Sequence, residues 1–200
     1  CLSLAAFAFA RPAQAELEYL VYDLSTKTTE TVTSPDVTAD EYHTGSKMLF
    51  VRDTTLADQT YYIGVFEVTQ AQADTLGWDG ASERGGWAYG TNAASNFASH
   101  SLPTNVAFPT HAQWKAYTDD PATLTKEDKE DINIRGGAFS WQRISLVDWY
   151  NNYLCASQLA HNSHGVYDIY GNVAEYATGG KGEGPFYGGA ATDRFAHLLE

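Results

Sequence analysis

His164-Gly165-Val166-Tyr167-Asp168-Ile169-Tyr170-Gly171-Asn172-Val173-Ala174-Glu175-Tyr176 is the stretch whose reading decides the fold. Aromatic and β-branched residues run into a Gly-Asn pair, and an alternating Val-Ala-Glu-Tyr follows. Gly171 and Asn172 adopt positive φ at low cost, so the stretch predicts strand, tight turn, strand. Asn172 and Glu175 then bring side-chain oxygens close together with backbone carbonyls between them, a set that suits a hard cation such as calcium. One Asn and one Glu are too few ligands for a calcium site by themselves. From the residues alone the simpler reading is a plain hairpin, with Asn172 serving the turn and Glu175 in solvent.

Just upstream, His161-x-x-His164 is the only close His pair in the chain. Three apart on a helix the two would share a face, but Asn162, Ser163 and Gly165 predict a loop. A non-haem metal site would also want a carboxylate. Asp168 is the nearest in sequence, and strand alternation decides where it points.

Two helix starts are legible further out. Thr69-Gln70-Ala71-Gln72 and Thr110-His111-Ala112-Gln113 both have the Thr-x-x-Gln form of a capping box. The first helix is expected to place Leu76 on its buried side and to end at Gly77. The second is expected over His111–Tyr117, with Trp114 turned inward. Leu17–Leu24 predicts a strand buried on both faces in its middle, and Ser25–Tyr42 a hairpin return followed by an exposed loop. Lys47–Arg52 predicts a second strand and Gln59–Val68 a third. Ile144–Leu154 reads either as a helix or as an irregular core strand. Trp78–Leu102 predicts a long loop packed by its own aromatics, of a length that is usually functional or an insertion. Thr118–Asp131 reads as a solvated surface excursion.

Two hundred residues suit one domain with a proper core, and 44% hydrophobic residues exclude a disordered chain. Thirteen Tyr, five Trp and seventeen Gly favour short strands and turns over helix bundles. A net charge of −13 repels phosphate backbones and argues against a nucleic-acid partner. Leu2–Ala10 is a short apolar run followed by Ala13-Gln14-Ala15, an A-x-A cleavage pattern. Residues 1–15 are therefore expected to be part of a signal peptide, too short to span a bilayer, with a single domain over 16–200 in an extracytoplasmic location. Of the two cysteines, Cys1 falls in that segment. Cys155 would then be the mature chain's lone thiol, and its simplest role is that of a small buried hydrophobe.

Several pieces carry a resemblance. Gly165–Tyr176 resembles the "GLYDMxGNVWEW" signature of the formylglycine-generating enzyme family, the sulfatase-modifying factor domains. In the same order, Tyr61–Gln70 is similar to the family's "FxIGxxEVTN", Phe108–Trp114 to its "LPTEAEWE", and Tyr187-Gly188-Gly189-Ala190 to its "RGGSW". The resemblance covers residues 48–192. It implies an α+β fold, a formylglycine-generating-enzyme-like variant of the C-type lectin-like fold: a small twisted antiparallel sheet, two helices and long packed loops.

The resemblance also implies a structural calcium at the Gly-Asn-x-x-Glu piece, held by the side chains of Asn172 and Glu175 and the carbonyl of Val173. Ala174 stands where the family has its first Trp, a change that touches packing more than ligation. The family's oxidases use copper and a cysteine pair late in the domain. No cysteine follows Tyr187 here, and a copper(I) site needs thiolates that Cys155 alone does not supply. The expectation is an exported, divergent member without the catalytic pair, acting as a binding or scaffold module for a carbohydrate or protein ligand. Trp78, Trp87 and Trp141, in the aromatic-rich stretches Trp78–Leu102 and Gly136–Tyr153, are the candidate ligand-stacking residues; the alternative is that they are core. The rival expectation is an oxidoreductase of this family whose catalytic cysteines, and with them copper, belong to sequence beyond Glu200.

Overall fold

The computed structural model describes residues 16–77, 102–118, 161–167, 175–178 and 186–187. Within them the chain is α+β. Four antiparallel strands form one sheet: β1 (Leu17–Asp23), β2 (Thr28–Val32), β3 (Lys47–Asp53) and β4 (Ile63–Gly64), in the order β2-β1-β3-β4. Three short helices accompany it: α1 (Asp40–His43), α2 (Gln70–Thr75) and α3 (His111–Ala116). A separate two-stranded ribbon pairs β5 (Glu175–Tyr176) with β6 (Phe186–Tyr187). Among the described residues no helix is long and apolar enough to cross a membrane.

The central strand β3 follows from alternation. Leu49, Val51 and Asp53 of β3 are 3%, 0% and 2% exposed, and the intervening positions are only half-buried. Their partners in register on β1 are Val21, Tyr19 and Leu17, so one face of the sheet carries the core. In the middle of β1, Val21 and its neighbour Tyr22 are both buried, the two-faced burial that the sequence predicts. On the other face Arg52 lies opposite Glu18, with Nη1 3.5 Å from Oε2, and the Tyr62 hydroxyl donates to the same carboxylate.

Both capping boxes form as read. Thr69 Oγ1 accepts from Gln72 N while Gln72 Oε1 accepts from Thr69 N, and Thr110 and Gln113 do the same at α3. Gly77, with φ +69°, follows the end of α2. Leu76 is only half-buried, a departure from the expected inward position; the buried residues of α2 are Gln72 and Ala73. α3 stops one residue short of the expected end, and its C-cap, Tyr117, is fully buried, while Trp114 packs partly buried against the core.

Two expectations need correcting. The strand expected over Gln59–Val68 shrinks to Ile63–Gly64, because the chain leaves the sheet just after: Val65 N still bonds Leu49 O, but the Val65 carbonyl accepts from Tyr167 N. The return expected over Ser25–Tyr42 contains β2 as foreseen, but also α1, a single turn whose N-cap, Ala39, makes no side-chain cap bond.

Candidate functional site

The described core closes where residues 161–167 settle on the sheet. His161 bridges Tyr167, and Gly165 N donates to Asn162 O, so the segment doubles back on itself as a tight turn. Asn162 holds that shape. Its Oδ1 accepts from the backbone N–H of His164 and of Val166, and its Nδ2 donates to the carbonyl of Tyr117 at 2.6 Å. Gly165 has φ +76°, and a Cβ there would come within 2.9 Å of Leu17 Cδ1, so glycine serves both the left-handed backbone and the close approach to β1.

That turn delivers His164 to β3. Its Nδ1 lies 2.7 Å from Oδ2 of Asp53, whose other oxygen accepts from the N–H and the hydroxyl of Thr55 at 2.8 and 2.7 Å. A carboxylate oxygen at neutral pH only accepts, so the imidazole proton sits on Nδ1 and the tautomer is fixed. Burial alone would raise the pKa of Asp53; the hydrogen bonds from His164 and Thr55 outweigh it and hold the carboxyl below its ordinary range. Tyr117 packs its ring edge-on to His164, with centroids 6.0 Å apart, and Tyr61 packs on Tyr117 at the same separation. Burial pushes both phenols up.

A carboxylate-oriented imidazole is the starting arrangement for acid–base work or metal ligation. Among the described residues, however, no group of three or more His, Cys, Asp or Glu could hold a metal ion. The two histidines of the close pair are engaged separately: His161 Nδ1 donates to the Asn162 carbonyl at 2.7 Å and its ring packs on Tyr167, while His164 binds Asp53. The loop expected there is present. The carboxylate that meets His164 is Asp53, which sequence reasoning passed over because the strand was read to end at Arg52. The signal lay in the alternation Leu49, Val51, Asp53, which puts an acid at the next core-facing position.

The residues singled out in advance are placed less fully. Asn172, Val173, Trp78, Trp87, Trp141 and Cys155 lie outside the described residues. So do Asp168 and the Gly171-Asn172 turn. Glu175 opens β5, where it pairs in register with Tyr187, the first residue of the piece similar to "RGGSW".

Comparison with models of protein families, with curated proteins and with solved structures found no match.

Proposed function

We propose that the chain is an extracytoplasmic domain of the formylglycine-generating-enzyme kind, with a C-type lectin-like arrangement, that serves as a binding or scaffold module and not as a cysteine oxidase. What supports this reading is that three of the four quoted sequence pieces, far apart in the chain, meet in one core. From the first piece, Val65 O accepts from Tyr167 N at 2.9 Å and Phe66 packs on the Tyr167 ring at 5.2 Å. The second piece carries α3: Pro109 O accepts from Thr178 N, and Thr178 O from His111 N, both at 2.8 Å. Thr178 lies two residues beyond the signature stretch. Val65 and Val166 share the buried cluster, and Trp114 packs against it.

The reading includes a structural calcium at Asn172, Val173 and Glu175. An amide oxygen, a backbone carbonyl and a carboxylate are all hard oxygen donors, the chemistry that calcium selects. Thermal melting with added calcium, wild type beside Asn172→Ala, tests this part. A melting temperature that rises with calcium in the wild type alone is expected, since a ligand of the native state stabilises it. No rise up to roughly millimolar calcium overturns it.

The non-oxidase part is tested by incubating the copper-treated chain with a cysteine-containing sulfatase-type peptide in air. An unchanged peptide mass is expected, and conversion of the cysteine to an aldehyde overturns the reading. The Trp87→Ala chain separates the roles of the aromatic stretches. Unchanged melting with lost binding to a glycan array marks recognition, and a large fall in melting temperature marks core.

A further inference from the structure

β2 is the outer strand of the four-stranded sheet. Thr28, Thr29, Glu30 and Thr31 are exposed, and among the described residues β2 makes backbone ladder bonds to β1 alone. An outer strand presents a row of outward N–H and C=O groups, a template for another chain, and proteins that do not use such an edge blunt it with Pro, Lys, a bulge or a covering segment. β2 contains neither Pro nor Lys, and its one charged residue is the exposed Glu30 at its centre. Its register with β1 runs unbroken from Tyr19↔Val32 to Asp23↔Thr28, so no bulge turns the edge away. The left-handed residues nearby, Lys27 and Ser34, bracket the strand without interrupting it.

The side chains select the partner. A second copy laid antiparallel on β2 about its centre would put Glu30 opposite Glu30, and like charges directly opposite are destabilising. The net charge of −13 adds to that repulsion. A strand with a cation at the central position meets the opposite condition, and the flanking threonines favour β-branched neighbours. We propose that the outer edge of β2 takes up an extended peptide strand of a partner protein, antiparallel, with Lys or Arg opposite Glu30. This goes beyond the binding-module reading, which concerns other surfaces, and it stands or falls independently of family.

Two fluorescein-labelled heptapeptides test it on the full chain: Thr-Thr-Val-Lys-Val-Thr-Thr and its counterpart with Glu at the centre. Fluorescence anisotropy is expected to show the Lys peptide binding about fivefold more tightly, the ratio that one cross-strand charge pair supplies. Glu30→Lys, an exposed change that leaves the fold intact, is expected to reverse the ranking. N-methylation of alternate amides of the Lys peptide is expected to abolish binding, since the ladder needs those donors. No binding of either peptide at millimolar concentration, a ranking that Glu30→Lys leaves unchanged, or full binding by the N-methylated peptide each overturns the proposal. So does concentration-dependent dimerisation in sedimentation that is lost in Thr29→Pro, which would assign the edge to a second copy.

Discussion

The Nδ1–H of His164 donates to Oδ2 of Asp53 over 2.7 Å, joining positions 111 residues apart in the chain. The carboxylate is 2% exposed, and among the described residues its remaining bonds come from Thr55. Removing the imidazole strands a buried negative charge, whereas removing His161, which is exposed, does not. His164→Ala is expected to lower unfolding stability by about 3 kcal/mol, and His161→Ala by less than about 0.5 kcal/mol. Urea unfolding of the two variants beside the wild type checks the contrast.

The same pair sets a pH dependence. The Asp53 carboxyl is held below its ordinary value of 3.8, so the unfolded chain takes up its proton first as the solution is acidified. The contribution is therefore complete above that value and is lost as pH falls through the lower, folded value. Stability between pH 7 and 5 is expected to be insensitive to this group, with a steep fall below about pH 4. Asp53→Asn should be less stable at pH 7 and show a shallower acid limb. An equally steep limb in the variant would assign acid sensitivity to other carboxylates.

Gln72 and Gln113 hold the same place in the same motif, yet they are expected to differ when truncated. The Gln72 side chain is buried, and its Nε2 donates to the carbonyls of Tyr42 at 3.0 Å and of Lys47 at 2.8 Å. It thereby ties α2 to α1 and to the start of β3. Gln72→Ala removes a cap and orphans two carbonyls, at a cost of about 3 kcal/mol. Gln113→Ala loses the capping interaction, at about 1 kcal/mol. Equal melting temperatures for the two variants would sink the distinction.

Gly165→Ala forces a side chain into the left-handed region and toward Leu17 Cδ1. A loss of about 2 kcal/mol is expected from the backbone conformation and the close contact together. Leu17→Ala in the same chain should relieve the contact but not the backbone term, so a double-mutant cycle gives a favourable coupling. Strict additivity would show that the turn shifts away from β1.

The elements with a local chemical signature were legible in the sequence: β1 and β3 through their runs of apolar, β-branched and aromatic residues, and α2 and α3 through Thr-x-x-Gln. α1 was not, because Ala39 offers no capping side chain and one helical turn has no periodicity to read. β4 was read too long, because Tyr61, Tyr62, Ile63, Val65 and Phe66 have strand chemistry throughout; what ends the strand is Tyr167 taking the Val65 carbonyl, a non-local event. The meeting of His164 with Asp53 is non-local in the same way. Spacing along the chain pointed to Asp168, while the fold supplied an acid from a strand formed much earlier in the sequence.

The sheet order carries a consequence for the timing of folding. β1, β2 and β3 lie within Leu17–Asp53: β1 and β2 pair as a hairpin of short-range contacts, the kind that forms quickly, and β3 crosses over to the other edge of β1. At typical elongation speeds the ribosome needs about 5–20 s to deliver the next 111 residues. For that interval the sheet has its ladder but not its lid. The Asp53 carboxylate stays open to water beside Thr55 until His164 arrives, and the apolar side chains of Leu17 and Val51 wait for Gly165. Docking of the 161–167 turn is thus expected to come late in the nascent molecule, its amides gaining hydrogen-exchange protection after those of β1 and β3.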